Sequence, residues 1–294
     1  MHIGEKIKKI RLSKLMTQAD LAGDHITRNM LSTIERGAAL PSLPTVMYIA
    51  DRLNVPIGYL LCEAEDEHFY RKMASLPNIR QAFAQKDLAG CLYLISALGE
   101  TADDELSLIR AECEYGMALD AIQKGQLRLG AAALDRALRA VAQTSYDISC
   151  LRERIGVCFR YLGGLSTTLA SDILDAEEIE LSRAFGDTLV EYVMSIEALE
   201  NERVETAEDY VRRHPKTVYA ARLSALLMMR EGDYLGAQAA LEALLARDEL
   251  TFGVLLYEVF GDLELCYRRN DDYKRAYEFS GSRIGLLERL LEEI

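Results

Sequence analysis

Apolar residues recur at spacings of three and four along the chain, and period-two alternation is hard to find. Spacings of three and four place apolar side chains on one face of a helix, so the pattern predicts an all-α protein. In residues 1–62 the runs are short. Ile3, Ile7, Ile10 and Leu15 line one face of a first helix. Thr17 begins a second, followed by Ala19, Leu21 and Ala22. Thr27 begins a third, with Leu31 and Ile34 inward and Gly37 at its end. Ser42 caps a fourth, whose apolar face is Val46, Ile49, Ala50 and Leu53. Pro56 fits the first turn of a fifth, which carries Ile57, Leu60 and Leu61. These five helices predict a bundle with its own core.

From about Glu63 the pattern changes to paired helices. The clearest unit runs from Tyr219-Ala220-Ala221-Arg222-Leu223 through Gly232-Asp233-Tyr234 to Ala237, Leu241 and Leu244. A helix, a tight turn and then an alanine three positions after the tyrosine resembles a tetratricopeptide unit. The turn recurs as Asn270-Asp271-Asp272-Tyr273 with Ala276. It recurs in weaker form as Lys124-Gly125 with Gly130, and as Glu202-Arg203-Val204 with Ala207. The expected division is therefore 1–62, a small bundle, and 63–294, a helical-hairpin solenoid. Pro77 and Pro215 interrupt the second part.

The 294 residues carry a net charge of −13, and the charge is uneven. Residues 1–62 hold eight Lys/Arg against five acids, a net of +3, which leaves −16 for the rest. Only the head is suited to meet a polyanion. The acidic runs at 63–67 and 175–178 read as solvated helix starts. Half of the residues are apolar, yet no stretch is long and unbroken enough to span a membrane, and the charged N-terminus is no signal peptide. A cytoplasmic protein is expected. The six cysteines form no C-x-x-C pair and have no histidines near them, so reduced thiols are expected rather than zinc or disulfides. His68 and His214 stand apart, and no phosphate loop, H-E-x-x-H or nucleophile constellation is present. The chain is read as a non-enzyme with no cofactor and no metal.

The head holds the most specific pattern: Ile7-Lys8-Lys9-Ile10-Arg11, Met16-Thr17-Gln18-Ala19-Asp20-Leu21-Ala22, Ile26-Thr27-Arg28-Asn29-Met30-Leu31-Ser32-Thr33-Ile34-Glu35-Arg36-Gly37, Leu40-Pro41-Ser42 and Ile49 through Leu61. It resembles the phage-repressor (Xre/Cro-type) helix-turn-helix domain, a five-helix, lambda-repressor-like fold. The resemblance implies that the third helix lies in a major groove. It places base-reading side chains at Arg28, Asn29 and Thr33, and in some members at Met30 and Ser32. Arginine suits guanine and asparagine suits adenine. It places phosphate contacts at Thr17, Gln18, Thr27 and Arg36, and a structural ion pair between Arg11 and Glu35. Thr17 and Thr27 are also helix caps whether or not DNA is bound. One departure stands out. The link Gly23-Asp24-His25-Ile26 lacks the family's apolar-Gly-apolar turn and is a residue shorter.

Joined to hairpin repeats, such a head resembles the peptide-sensing regulators of the PlcR/Rgg type. That resemblance implies a homodimeric transcriptional regulator that reads an inverted repeat of double-stranded DNA, under control of a peptide or small ligand. Arg160, Tyr192, Asn201 and Arg222 are the candidate ligand contacts. The end helix, with Ile284, Leu287, Leu290 and Leu291, needs a partner or a cap. The alternative is a scaffold whose repeats recruit a protein partner.

Overall fold

The computed structural model describes residues 2–62, 67–99, 103–169 and 187–292, so the acidic runs at 63–66 and 175–178 lie outside the described residues. Every regular element among the described residues is a helix. No helix among them is long and apolar enough to cross a membrane. The chain forms two compact units, Met1–Thr101 and Ala102–Ile294.

The first unit contains α1 (Ile3–Ser13), α2 (Gln18–Ala22), α3 (Arg28–Glu35), α4 (Leu43–Leu53), α5 (Ile57–Leu61), α6 (Glu67–Ala84) and α7 (Leu88–Ser96). Side chains cap the short helices: Thr17 for α2, Thr27 for α3 and Ser42 for α4. Pro56 stands at the N-cap of α5, ahead of its first turn. Ile7, Leu21, Leu31, Ile34, Ile49, Leu53 and Leu60 close a core with almost no exposure. Three expectations are corrected. Leu15 does not extend the face of α1: its φ is 56° and it is 91% exposed. It occupies the left-handed position after the helix, where the Met16 N–H returns to the Arg11 carbonyl at 3.1 Å. Leu61 likewise faces outward. Pro77 does not interrupt the chain, because α6 runs straight through it.

The second unit contains α8 (Asp104–Gln123), α9 (Leu127–Val141), α10 (Ser149–Leu165), a 3-10 turn (Thr167–Leu169), α11 (Thr188–Glu200), α12 (Val204–Arg213), α13 (Val218–Arg230), α14 (Tyr234–Leu245), α15 (Val254–Arg269) and α16 (Tyr273–Glu292). α8 packs on α9, α11 on α12, α13 on α14 and α15 on α16, and α11, α13 and α15 touch in succession. This is a stack of helical hairpins.

One turn geometry makes these hairpins, and it also makes the α6–α7 hairpin of the first unit. Lys86, Gly125, Glu202, Gly232 and Asp271 each take a φ between 59° and 88°. The next N–H then reaches five positions back: Asp87 to the Ala82 carbonyl, Gln126 to Ala121, Arg203 to Ala198, Asp233 to Met228 and Asp272 to Tyr267, at 2.8–3.0 Å. These bonds satisfy carbonyls that a helix end leaves orphaned. Five positions after each left-handed residue stands a small buried side chain or none: Cys91, Gly130, Ala207, Ala237 and Ala276. A Cβ added at Gly130 would lie 2.7 Å from Ile122, so the second helix crosses close to the first there.

The end helix is capped by its own unit. α16 packs back on α9, with Leu286 and Leu290 buried in the main core. Leu287 and Leu291 are partly covered, while Ile284 is 59% exposed. A Cβ at Gly125 would stand 2.8 Å from both Leu290 and Phe252, so the α8–α9 turn accepts α16 through a glycine with φ of 78°. The leucines named from sequence are thus the inner face, and a different face of α16 stays open.

Candidate nucleic-acid interface

The interface is built on α2, the turn after it and α3. Thr17 and Asp20 form a reciprocal capping box. The Thr17 hydroxyl oxygen accepts from the Asp20 N–H at 3.1 Å, and Asp20 accepts from the Thr17 N–H and hydroxyl, both at 2.7 Å. The Thr17 side-chain and backbone bonds hold the Asp20 carboxyl below its ordinary pKa. Thr17, expected on a phosphate, is in this state engaged by Asp20. Gln18 is engaged too: its Nε2 donates to Glu35 at 2.8 Å.

Glu35 is the knot that joins three helices. Arg11 donates to it twice, at 2.7 and 3.0 Å, and also donates to the Met16 carbonyl at 2.8 Å. Both partners are almost fully buried. Burial pushes the Glu35 carboxyl up, but the bonds from Arg11 and Gln18 and the charge of Arg11 outweigh it. Its pKa ends below the ordinary value.

The departure noted in the α2–α3 link is resolved by α4. Gly23 turns the chain with φ of 53°. The Tyr48 hydroxyl donates to the Ala22 carbonyl at 2.9 Å, and Arg52 donates to the Asp20 carbonyl at 2.5 Å. The last carbonyls of α2 are therefore met by side chains of α4. His25 stacks on the Tyr48 ring, with centroids 4.6 Å apart. A Cβ on Gly23 would meet the Tyr48 oxygen at 2.5 Å, so only glycine admits this clamp. Sequence reasoning missed Tyr48 and Arg52. Their only signal is the spacing of four that places them side by side on α4, off its apolar face.

α3 has two distinct sides. Leu31, Ile34 and Glu35 are buried. Arg28, Asn29 and Arg36 are exposed, Met30 is 41% exposed, and Ser32 and Thr33 are half-exposed. Thr27 spends its hydroxyl oxygen on the Met30 N–H. Thr33 donates to the Asn29 carbonyl at 2.8 Å and Arg36 to the Ser32 carbonyl at 3.2 Å. The side chains of Arg28 and Asn29 make no hydrogen bond to any described residue. The structure thus brings Arg28, Asn29, Ser32, Thr33 and Arg36 onto one outward face, opposite the core.

Residues 7–60 match the helix-turn-helix family model. The head is a helix-turn-helix domain. Across nearly the whole chain, solved structures are similar, three of them as follows. PlcR of Bacillus thuringiensis, in complex with the peptide PapR7 and DNA, is 16% identical over 99% of both chains, with a TM-score of 0.26. The apo competence regulator ComR of Streptococcus vestibularis is 18% identical over 99% of this chain and 93% of that one, with a TM-score of 0.28. ComR of S. thermophilus, in complex with DNA and its signalling peptide, is 14% identical over 97% and 99%, with a TM-score of 0.24. No curated protein matches the chain. These likenesses are weak, and the assignment of the helix-turn-helix head rests on the family match and on the head's own geometry.

The four ligand candidates of the second unit fall into two pairs. Arg160 grips Glu197 with two bonds, at 3.1 and 3.2 Å, and Asn201 donates to the Glu197 carbonyl at 2.8 Å. Tyr192 and Arg222 belong to a buried network. Arg222 donates to Asp262 at 2.6 Å, pairs with Glu258 at 2.9 Å and bonds the Tyr192 hydroxyl, which itself donates to Glu258 at 2.7 Å. Burial works against the Arg222 charge, yet Tyr192, Glu258 and Asp262 together drive its pKa well up. Burial, with the like charge of Asp262 beside it, raises Glu258 against the pull of Arg222. His214, isolated in sequence, lies 3.2 Å from the buried Glu191. No disulfide joins the described cysteines, and burial pushes the Cys158 thiol up to about 12 and the Cys266 thiol up to about 11. Among the described residues no group of His, Cys, Asp and Glu is arranged to hold a metal.

Proposed function

We propose that this chain is a sequence-specific DNA-binding transcriptional regulator, with residues 1–62 as the reading domain and residues 63–294 as the sensor and dimerisation domain. The observation that carries the reading is the outward face of α3. Its polar side chains meet solvent, while its inner face is locked by Leu31, Ile34 and the Arg11–Glu35–Gln18 knot. A helix held so firmly and left so open is built to enter a major groove. Arg28 and Asn29 are the base readers, for guanine and adenine. Met30, Ser32 and Thr33 complete the face. Thr17, Gln18, Thr27 and Arg36 meet phosphates; Gln18 has a second amide hydrogen beyond the one Glu35 takes. A net charge of +3 on residues 1–62 implies few phosphate contacts per head, and therefore a shallow salt dependence.

The second unit is proposed to take a peptide or small ligand, the kind of partner named in the PlcR and ComR structures. Of its candidates, Arg160 and Asn201 lie nearer the surface. Tyr192 and Arg222 would touch a ligand only after leaving Glu258 and Asp262, so their role is to join α11, α13 and α15.

Affinity selection of fragmented genomic DNA tests the reading, with the variant Arg28→Ala/Asn29→Ala in parallel. The wild type is expected to recover an inverted repeat whose half-sites lie one helical turn or a multiple apart, and the folded variant is not. A variant that recovers the same motif as strongly would remove α3 from its proposed role.

A further inference from the structure

We propose that Lys6 and Cys62 form an oxidant-sensitive modification site, in which peroxide joins the Lys6 side-chain nitrogen to the Cys62 sulfur as a sulfenamide. This goes beyond the DNA-reading role and does not depend on it.

The first observation is a buried lysine without an acid. Lys6, on α1, is 1% exposed. Its Nζ donates to the Cys62 carbonyl at 2.6 Å, to the Cys62 Sγ at 3.1 Å and to the Tyr59 carbonyl at 3.3 Å. No carboxylate among the described residues pairs with it. Lysine is almost never fully buried unless paired, because an unpaired charge away from water is costly. Two carbonyls and a sulfur hold this one, and of the three only the sulfur can be oxidised.

The second observation is access. Cys62 follows the last turn of α5 and is half-buried, and its thiol donates to the Tyr59 carbonyl at 3.2 Å. Of the other described cysteines, Cys91, Cys113, Cys158 and Cys266 are buried. Cys150 is exposed, but no lysine bonds it among the described residues. Cys62 alone among them combines an approachable sulfur with an amine set against it.

The chemistry needs one molecule of peroxide. The thiol sulfur attacks a peroxide oxygen, the O–O bond breaks, and Cys62 becomes a sulfenic acid as one water leaves. Sulfenic acids condense with a neighbouring nitrogen. The Lys6 amine, its extra proton given to solvent, attacks the sulfur. The S–O bond breaks, the hydroxyl takes an amine proton and leaves as a second water, and the S–N bond forms. Sulfur gives up two electrons, peroxide takes them, and the protein loses two hydrogen atoms. At 3.1 Å the nitrogen already stands at the reach of a near-attack approach. The product also replaces a buried cation with a neutral nitrogen, which removes the unpaired charge. The link ties the first turns of α1 to the residue after α5.

Hydrogen peroxide treatment of the reduced full chain, followed by tryptic mapping in a mass spectrometer, tests the site. A linked Lys6 resists trypsin, so the wild type is expected to yield peptide 1–8 joined to peptide 53–71, lighter than their sum by two hydrogens. Dithiothreitol, attacking the sulfur, is expected to release both peptides. Cys62→Ser is expected to abolish the linked species, and Cys150→Ser to keep it. Lys6→Arg keeps the charge but not the amine, and is expected to leave a Cys62 sulfenic acid that dimedone traps. The wild type unfolded in urea is expected to give about tenfold less linked peptide or lower, because folding holds the nitrogen against the sulfur. This comparison and Cys62→Ser decide the matter even if Lys6→Arg does not fold. A wild-type Cys62 that stops at sulfenic or sulfinic acid while Lys6 is cleaved normally, a linked species that survives Cys62→Ser, or equal linking in urea would each overturn the site. Failure of operator recovery leaves the link standing, and absence of the link leaves the DNA reading standing.

Discussion

Arginine is put to opposite uses in the two units. On α3 of the head, Arg28 projects from a rigid helix and bonds nothing among the described residues. On α13 of the second unit, Arg222 is nearly buried and held between Glu258 and Asp262. Both residues stand out in the sequence as contacts for something outside the chain. The difference lies in what faces them. The helix-turn-helix presents one side of α3 to solvent because no described helix of its unit covers that side. In a stack of hairpins the first helices of neighbouring pairs face each other, so a polar residue there meets a polar residue of the next hairpin. An arginine on a helix face is therefore a reader or a rivet according to whether a neighbouring helix covers that face.

The comparison breaks hardest at Arg222. Arg222→Ala leaves two carboxylates buried without their cation and is expected to cost about 3–5 kcal/mol of stability in chemical unfolding of the full chain. If Arg222 were a solvated ligand contact instead, the loss would be within about 0.5 kcal/mol.

Next in size is the knot of the head. Glu35→Ala removes the acceptor of Arg11 and Gln18 and is expected to cost the helix-turn-helix about 3 kcal/mol. The same carboxylate gives the head a pH dependence. Its folded pKa is lowered, so its stabilisation is fully present above the unfolded value near 4.3 and fades as pH falls through the lowered folded value. Acid titration followed by circular dichroism should show wild-type stability falling below about pH 4, and Glu35→Gln should give a shallower slope, with Asp20 still contributing.

Arg28→Ala sharpens the other side of the comparison. Stability should stay within about 0.5 kcal/mol of wild type, while binding to the selected operator weakens by about 1–3 kcal/mol, with relaxed preference at one base pair. A stability loss matching that of Arg222→Ala would show that both arginines are rivets. The smallest effect belongs to the clamp. Tyr48→Phe keeps the stack on His25 but drops the bond to the Ala22 carbonyl, and is expected to cost about 1 kcal/mol in thermal unfolding.

Much of the fold is legible along the chain because its causes are local. Thr17, Thr27 and Ser42 cap the helices they precede, and Leu31 and Ile34 face inward by helical phase alone. The hairpin turns are half legible. Gly125 and Gly232 announce a left-handed residue, whereas Lys86, Glu202 and Asp271 take the same conformation without announcing it. The α6–α7 hairpin gives no such signal, with a lysine at its turn and a cysteine as its small residue. Leu15 misleads for the converse reason, since an apolar side chain at a helical spacing conceals a helix that has already ended.

The sequence by itself determined the all-α class, the helix-turn-helix head, the outward set on α3 and the charge contrast between head and body. Each follows from periodicity, capping chemistry or counting, which need only neighbours along the chain. The tertiary structure alone decided that α4 clamps the α2–α3 turn, that Gln18 joins Arg11 on Glu35, that Arg222 is enclosed by Glu258 and Asp262, and that α16 turns its leucines inward and its glycines outward. Those contacts join residues 17 to 40 positions apart or more. Such pairs meet only when helices pack, and burial then fixes whether a charge is spent inside the fold or left for a partner.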